Sequence, residues 1–279
     1  MFFSITIVVL VFISIVINLL AAPNDIVEEV GVKTFRMFTV LSNLLIGIAT
    51  AMTIPFAVDG IRQKNYHLPR WIVNLTFMGT NCVSLTFLIA STVLSASVGF
   101  VRIMLDGSNL FLHTIIPILA IVSFLFVNAY HTVKFKTVFV AIAPVFVYAM
   151  VYLVSAILIG EENGGWRDHY HFEDIMPWYF VLPVMLLLTF GIACLLRGVH
   201  NAMHRRDKLA TERYYQATAE YDFPNIEEAI RKMATDNKAY DVGGEVTVPR
   251  RLIKMLEERY KSNEPLSYLC GVYLEEYLK

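Results

Sequence analysis

Thr39, Ser42 and Asn43 stand at i, i+3 and i+4 within Phe38-Thr39-Val40-Leu41-Ser42-Asn43-Leu44-Leu45. On an α-helix they share one face, while Phe38, Val40, Leu41 and Leu44 cover the others. A second polar group lies far downstream, in Ser108-Asn109-Leu110-Phe111-Leu112-His113-Thr114-Ile115-Ile116-Pro117, where His113 is the only histidine well inside an apolar run. A hydroxyl and an imidazole at one level are the minimum for nucleophilic attack with general-base help. In that chemistry Thr39 attacks and His113 takes its proton. Ser42, Asn43 and Asn109, the last one helical turn before His113, would then supply hydrogen bonds to the developing oxyanion. The same residues have a structural reading: hydroxyls and amides join helices in lipid, and a neutral histidine can be bonded to a neighbouring helix. An ionisable group inside a membrane is by default a functional-site hypothesis, because its charged form is costly there.

The elements that must hold these residues are lipid-length helices. The chain has 279 residues, of which 56% are apolar and only 17% charged, and this composition belongs to multipass membrane proteins. A formal net charge of −1 provides no basic field for nucleic acid, so no nucleic-acid partner is expected. Cys82 and Cys194 lie in apolar runs and Cys270 in a polar tail, without the paired spacing of a disulfide framework or zinc site. No cofactor is expected.

Apolar runs long enough for the roughly 20 residues of a membrane-spanning helix fall at Phe2 to Ala22, about Thr34 to Val58, Trp71 to Leu94, Ser108 to Tyr130, Lys136 to Gly160 and Met176 to Arg197. Ala21-Ala22-Pro23 resembles a signal-peptide end, but the first run is longer than the usual h-region of about 7–15 residues, and a retained helix is favoured. The expected fold is all-α: a six-helix transmembrane domain over residues 1–199, followed by a small, mostly helical cytoplasmic tail over 200–279. In the tail, Asn225 to Ala234, a segment from Pro249 and Leu266 to Leu278 carry helical patterns, and a second copy of the chain is one surface on which so small a tail can pack. Arg62, Lys64, Arg70, Lys134, Lys136, Arg197, Arg205, Arg206 and Lys208 gather on one side of the membrane, against Lys33, Arg36, Arg102 and Arg167 on the other. The positive-inside rule then puts both termini in the cytoplasm, and the plasma membrane is the expected location. Trp166, Trp178 and Tyr179 fit an aromatic belt on the outer side.

This topology runs the second and fourth helices inward from the outside. Thr39 and His113 each lie about five residues into their spans, roughly 8 Å below the outer boundary at 1.5 Å per residue. Pro117 follows His113 by four residues, cannot donate to its carbonyl, and predicts a kink that leaves backbone groups free. Irregular backbone in a membrane is tolerated where it lines a cavity.

Phe38 to Leu45 on the second helix, His113-Thr114-x-x-Pro117 on the fourth and six spans in all resemble the androgen-induced-gene and FAR-17a family and its bacterial relatives. The resemblance covers roughly residues 1–200. It implies an intramembrane threonine hydrolase that cleaves fatty acid esters of hydroxy fatty acids, with the nucleophile role on Thr39 and the base role on His113. It also implies membrane lipids and a lipid-ester substrate as the partners. The tail departs from the family pattern, and the local match at Thr39 is to the bacterial branch. From the residues alone, a non-catalytic lipid-binding, receptor or transport protein is the alternative.

Two further stretches bear on function. Trp166-Arg167-Asp168-His169-Tyr170-His171-Phe172-Glu173-Asp174, in the fifth loop, has two histidines and three carboxylates. It reads first as a solvated loop or a lid over the Thr39 level, with Asp168 and Asp174 the nearest carboxylates to His113 by side, and no metal site is assigned. The third helix carries Thr76, Thr80, Asn81, Ser84 and Thr86, which predicts close packing with polar links to its neighbours.

Overall fold

A computed structural model describes residues 1–21, 30–63, 68–127, 131–168, 170 and 177–218. It is all-helical, with six helices long and apolar enough to cross a membrane: Phe2–Leu20, Phe38–Arg62, Arg70–Val98, Gly107–Val127, Lys136–Ile159 and Trp178–Arg206. The chain is an integral, multipass membrane protein. It divides into a unit of Met1–His204, which carries the bundle, and a unit of Arg205–Lys279. The last helix runs on past the apolar run that ends at Arg197, through the basic segment Gly198 to Lys208 that was expected to continue it, to Thr218. The helical patterns expected further along the tail, Cys270, and His169, His171, Glu173 and Asp174 of the fifth loop lie outside the described residues.

The third span is the central post. It buries an almost unbroken series from Ile72 through Thr86 and packs on the second, fourth and fifth spans. Gly79 permits the closest approach, because a Cβ there would lie 3.0 Å from the Ile46 Cα of the second span. The expected polar links are formed in part. Asn81 Nδ2 donates to the Ala141 carbonyl on the fifth span at 3.1 Å, and the Ser42 and Thr86 hydroxyls meet at 3.0 Å. Ser84 instead bonds back to the Thr80 carbonyl of its own helix at 2.7 Å. Around this post are two apolar clusters. Ile7, Val40, Ile46, Val83, Leu112 and Ile116 join the first four spans, and Ile72, Phe77, Phe124, Val138 and Leu196 join the last four.

Of the departures from regular helix at the end of the bundle that bears the first, third and fifth loops, three set the position of Thr39 and His113. The second span does not run in from Thr34. Gly31–Arg36 is a 3-10 turn, Met37 is extended (φ −86°, ψ 129°), and the α-helix starts at Phe38. Thr39 therefore sits in the first turn, and the expected depth of about five residues into the helix is corrected for it. The fourth span passes through a π-helical turn at Leu110–Ile115 just ahead of Pro117. Proline explains the widening: Pro117 has no N–H to return to the His113 carbonyl at i−4 or to the Leu112 carbonyl at i−5. Finally, Phe100–Met104, expected as loop, is a short helix that follows Gly99 at φ 103°, a conformation glycine adopts without a Cβ penalty.

Candidate active site

His113 and Thr39 face one another across the second and fourth spans. His113 Nε2 lies 3.2 Å from Thr39 Oγ1, and His113 Nδ1 lies 2.8 Å from the backbone carbonyl of Ile103 in the short third-loop helix. A carbonyl can only accept, so Nδ1 carries the proton and Nε2 presents its lone pair. The Thr39 hydroxyl is then the donor to Nε2. This is a nucleophile bonded to a base that a third group orients, with a backbone carbonyl where other enzymes use a carboxylate. Both side chains are buried, Thr39 at 8% exposure and His113 at 6%. The third-loop helix is tied in a second time by Thr114 Oγ1, which donates to the Met104 carbonyl at 2.6 Å.

Asn43 locks the two helices in this register. Its Nδ2 donates to the Thr39 carbonyl at 2.7 Å and to the Leu112 carbonyl at 3.1 Å, so one amide joins the backbone of the nucleophile to the residue preceding the base. The Leu112 carbonyl is one of the two acceptors that Pro117 leaves unserved. With both amide hydrogens spent on carbonyls, Asn43 is a brace and has no hydrogen left for an oxyanion, which corrects that expectation. Two others are bonded away from the cavity as well. The Ser42 hydroxyl is engaged by the Thr39 carbonyl and Thr86 Oγ1, both at 3.0 Å, and Asn109 Nδ2 donates to the Arg102 carbonyl at 3.2 Å in the third loop. Neither Ser42, Asn43 nor Asn109 lines the cavity that holds Thr39 and His113.

That cavity, about 110 Å³, is walled by Leu85, Ile89, Val145, Ile157, Leu182 and Met185 from the third, fifth and sixth spans. Its polar rim includes Tyr148 and Tyr152, one turn apart on the fifth span and not foreseen from the sequence, and Tyr170 of the fifth-loop stretch expected as a solvated loop or a lid. Tyr170 Oη accepts the Phe38 N–H at 2.8 Å and thus caps the second span, which has no side-chain cap of its own at Met37. Tyr148 Oη donates to the Arg36 carbonyl at 2.8 Å. Tyr152 Oη donates to Asp168 Oδ1. Asp168, one of two loop carboxylates considered as partners of His113, is therefore engaged by a tyrosine, and the ring nitrogen it would have served faces Ile103. The i, i+4 spacing of Tyr148 and Tyr152 was the signal available for finding this rim. At Trp166, expected in an interfacial belt, the backbone N–H donates to the Ser155 carbonyl at 2.8 Å and the ring lies under the Arg36 guanidinium at 5.7 Å.

Among the described residues no group of three or more histidine, cysteine or carboxylate side chains is placed to hold a metal ion. Fold and site together define a six-span helical membrane protein with a buried threonine–histidine pair opening on an apolar cavity. Comparison with protein-family models, curated proteins and solved structures gives no match.

Proposed function

We propose that the chain is an intramembrane hydrolase of lipid esters, with Thr39 as nucleophile and His113 as general base. The observation that carries this reading is the 3.2 Å contact between Thr39 Oγ1 and a ring nitrogen whose lone pair is exposed to it by the Nδ1 bond to Ile103. In the first half-reaction the Thr39 proton passes to His113 Nε2 as Oγ1 bonds to the ester carbon. The leaving alcohol takes that proton back, and water repeats the sequence to release the acid. The apolar walls suit an acyl chain, and a buried pair near one end of the bundle needs water at a single level only. Likeness of Phe38 to Leu45 and of His113 to Pro117 to the androgen-induced-gene and FAR-17a family supports the same reading and favours fatty acid esters of hydroxy fatty acids as the substrate class. We place both termini in the cytoplasm of a plasma-membrane protein from the distribution of lysine and arginine, so that the site faces the outer half of the bilayer.

The test is turnover by the purified chain in detergent micelles, with a fatty acid ester of a hydroxy fatty acid and a long-chain p-nitrophenyl ester as substrates. Hydrolysis by the wild type and its loss in Thr39→Ala is the expected result. A folded protein that binds these esters and cleaves none would instead be a non-catalytic lipid-binding protein.

A further inference from the structure

Attack by Thr39 turns the ester carbonyl oxygen into an oxyanion one atom away from Oγ1, and an ester hydrolase needs a donor already in place there. Ser42 and Asn43 have their hydrogens engaged elsewhere, Asn109 lies outside the cavity with its amide on the Arg102 carbonyl, and Thr86 Oγ1 donates to the Cys82 carbonyl at 3.2 Å. Tyr170 remains. Its hydroxyl is hydrogen-bonded to the side chains of Thr39 and Tyr148 and lines the same cavity as Thr39 and His113. We propose that the Tyr170 hydroxyl is the hydrogen-bond donor that holds this oxyanion, which makes Tyr170 a catalytic residue; the inference rests on the hydrolase reading above.

Three features prepare the phenol for this role. The Phe38 N–H, at the N-terminus of the second span, donates to the phenol oxygen at 2.8 Å. A donor on that oxygen strengthens its O–H as a donor in turn, and the positive end of the helix adds to the effect. Next, the Tyr148 O–H is given to the Arg36 carbonyl at 2.8 Å, which leaves the Tyr148 oxygen to accept. Tyr148 is therefore an acceptor for the Tyr170 proton in the resting site. Last, the Tyr170 ring is held from behind. It lies 5.4 Å from the Tyr152 ring, and its backbone N–H donates to Tyr152 Oη at 3.4 Å, while Tyr152 is itself anchored on Asp168. Burial pushes the Tyr170 phenol above its ordinary pKa, so the donor keeps its proton through the neutral range.

The step balances without transfer of the phenol proton. The Thr39 Oγ1–C bond forms, the carbonyl π pair moves onto oxygen, and the Thr39 proton goes to His113 Nε2. The Tyr170 O–H turns from its resting partners to the new oxyanion and remains covalently on the phenol. When the tetrahedral carbon collapses, the C–O bond to the alcohol breaks and His113 returns the proton to it.

The experiment compares wild type, Thr39→Ala, Tyr170→Phe and Tyr170→3,5-difluorotyrosine as full-length chains in detergent micelles, with a long-chain p-nitrophenyl ester. Tyr170→Phe is expected to lower kcat on the order of 10²–10³-fold while KM stays within about a factor of three. The difluoro variant keeps the ring, the oxygen and the cap on Phe38 but has a more acidic phenol. Its rate should therefore fall on the alkaline side at lower pH than that of wild type, where the phenol ionises and can no longer donate. A tether that only holds the loop would leave that alkaline limb unmoved. Wild-type kcat in Tyr170→Phe, or a raised KM at wild-type kcat, or coincident alkaline limbs in wild type and the difluoro variant, with Thr39→Ala inactive, would overturn the role of Tyr170 and leave the hydrolase standing. A wild-type chain inert toward esters would overturn both.

Discussion

Thr39→Ala and His113→Ala are each expected to lower ester turnover by about 10⁴-fold or more, and the double variant to be no worse than the poorer single one. A nucleophile and its base act as a unit. Once the imidazole is gone the Thr39 hydroxyl keeps a proton that nothing nearby removes, and once the hydroxyl is gone the imidazole has nothing to activate. The free energies therefore fail to add, as they do for residues sharing one reaction coordinate. Additive losses would mean that the two residues contribute independently, for example as separate lipid contacts, and would contradict the pairing read from their 3.2 Å contact. Thr39→Ser should retain measurable turnover, because it keeps a hydroxyl on the first turn of the same helix. The measurement is initial-rate kinetics on the four proteins, at matched concentrations of folded protein.

The second large effect is expected at Asn43, a residue that touches no substrate. Asn43→Ala removes both donors of the amide, but the consequences differ at its two ends. The Thr39 carbonyl keeps the Ser42 hydroxyl at 3.0 Å, whereas the Leu112 carbonyl loses its side-chain donor in a helix that Pro117 has already deprived of an N–H. A buried acceptor left without a partner costs about 1–3 kcal/mol, and the lower half of that range is apt in a bilayer, where interhelical bonds average roughly 0.6 kcal/mol. Activity should fall more steeply than stability. Releasing the second span from the fourth lets Thr39 drift from His113, and a displacement of about 1 Å costs on the order of 10²-fold in rate. Asn43→Asp should be worse than Asn43→Ala on both counts, since it brings a carboxyl group against two carbonyls in place of a donor. Thermal unfolding in micelles and kcat on the same preparations give both numbers. Wild-type stability and kcat in Asn43→Ala would remove the brace from the account.

The sequence made the bundle legible because the lipid solvent imposes a length: each apolar run had to reach about 20 residues, and each of the runs became a helix. The polar stripe of Thr39, Ser42 and Asn43 was legible for a similar reason, since helical spacing alone puts the three on one face. What each would bond to was not. Asn43 was read as a donor to a reaction intermediate, and its hydrogens went to two carbonyls, one of them exposed by a proline on another span. The start of the second helix was also hidden. An apolar run conceals a 3-10 turn and an extended Met37, and with them the free Phe38 N–H that Tyr170 caps. Tyr170 itself lies 132 residues from Phe38, and so distant a contact leaves no local periodicity to detect. The same is true of Ile103. Nothing in a loop sequence announces that its backbone carbonyl will fix the tautomer of His113, ten residues on.

The central claim, that Thr39 is a nucleophile made reactive by His113, is tested most directly by covalent labelling with a long-chain fluorophosphonate followed by peptide mass spectrometry. The account predicts one phosphonyl adduct on the peptide carrying Thr39, absent from Thr39→Ala and strongly reduced in His113→Ala at equal amounts of folded protein. An adduct on a different hydroxyl, or labelling of Thr39 that is undiminished in His113→Ala, would contradict it.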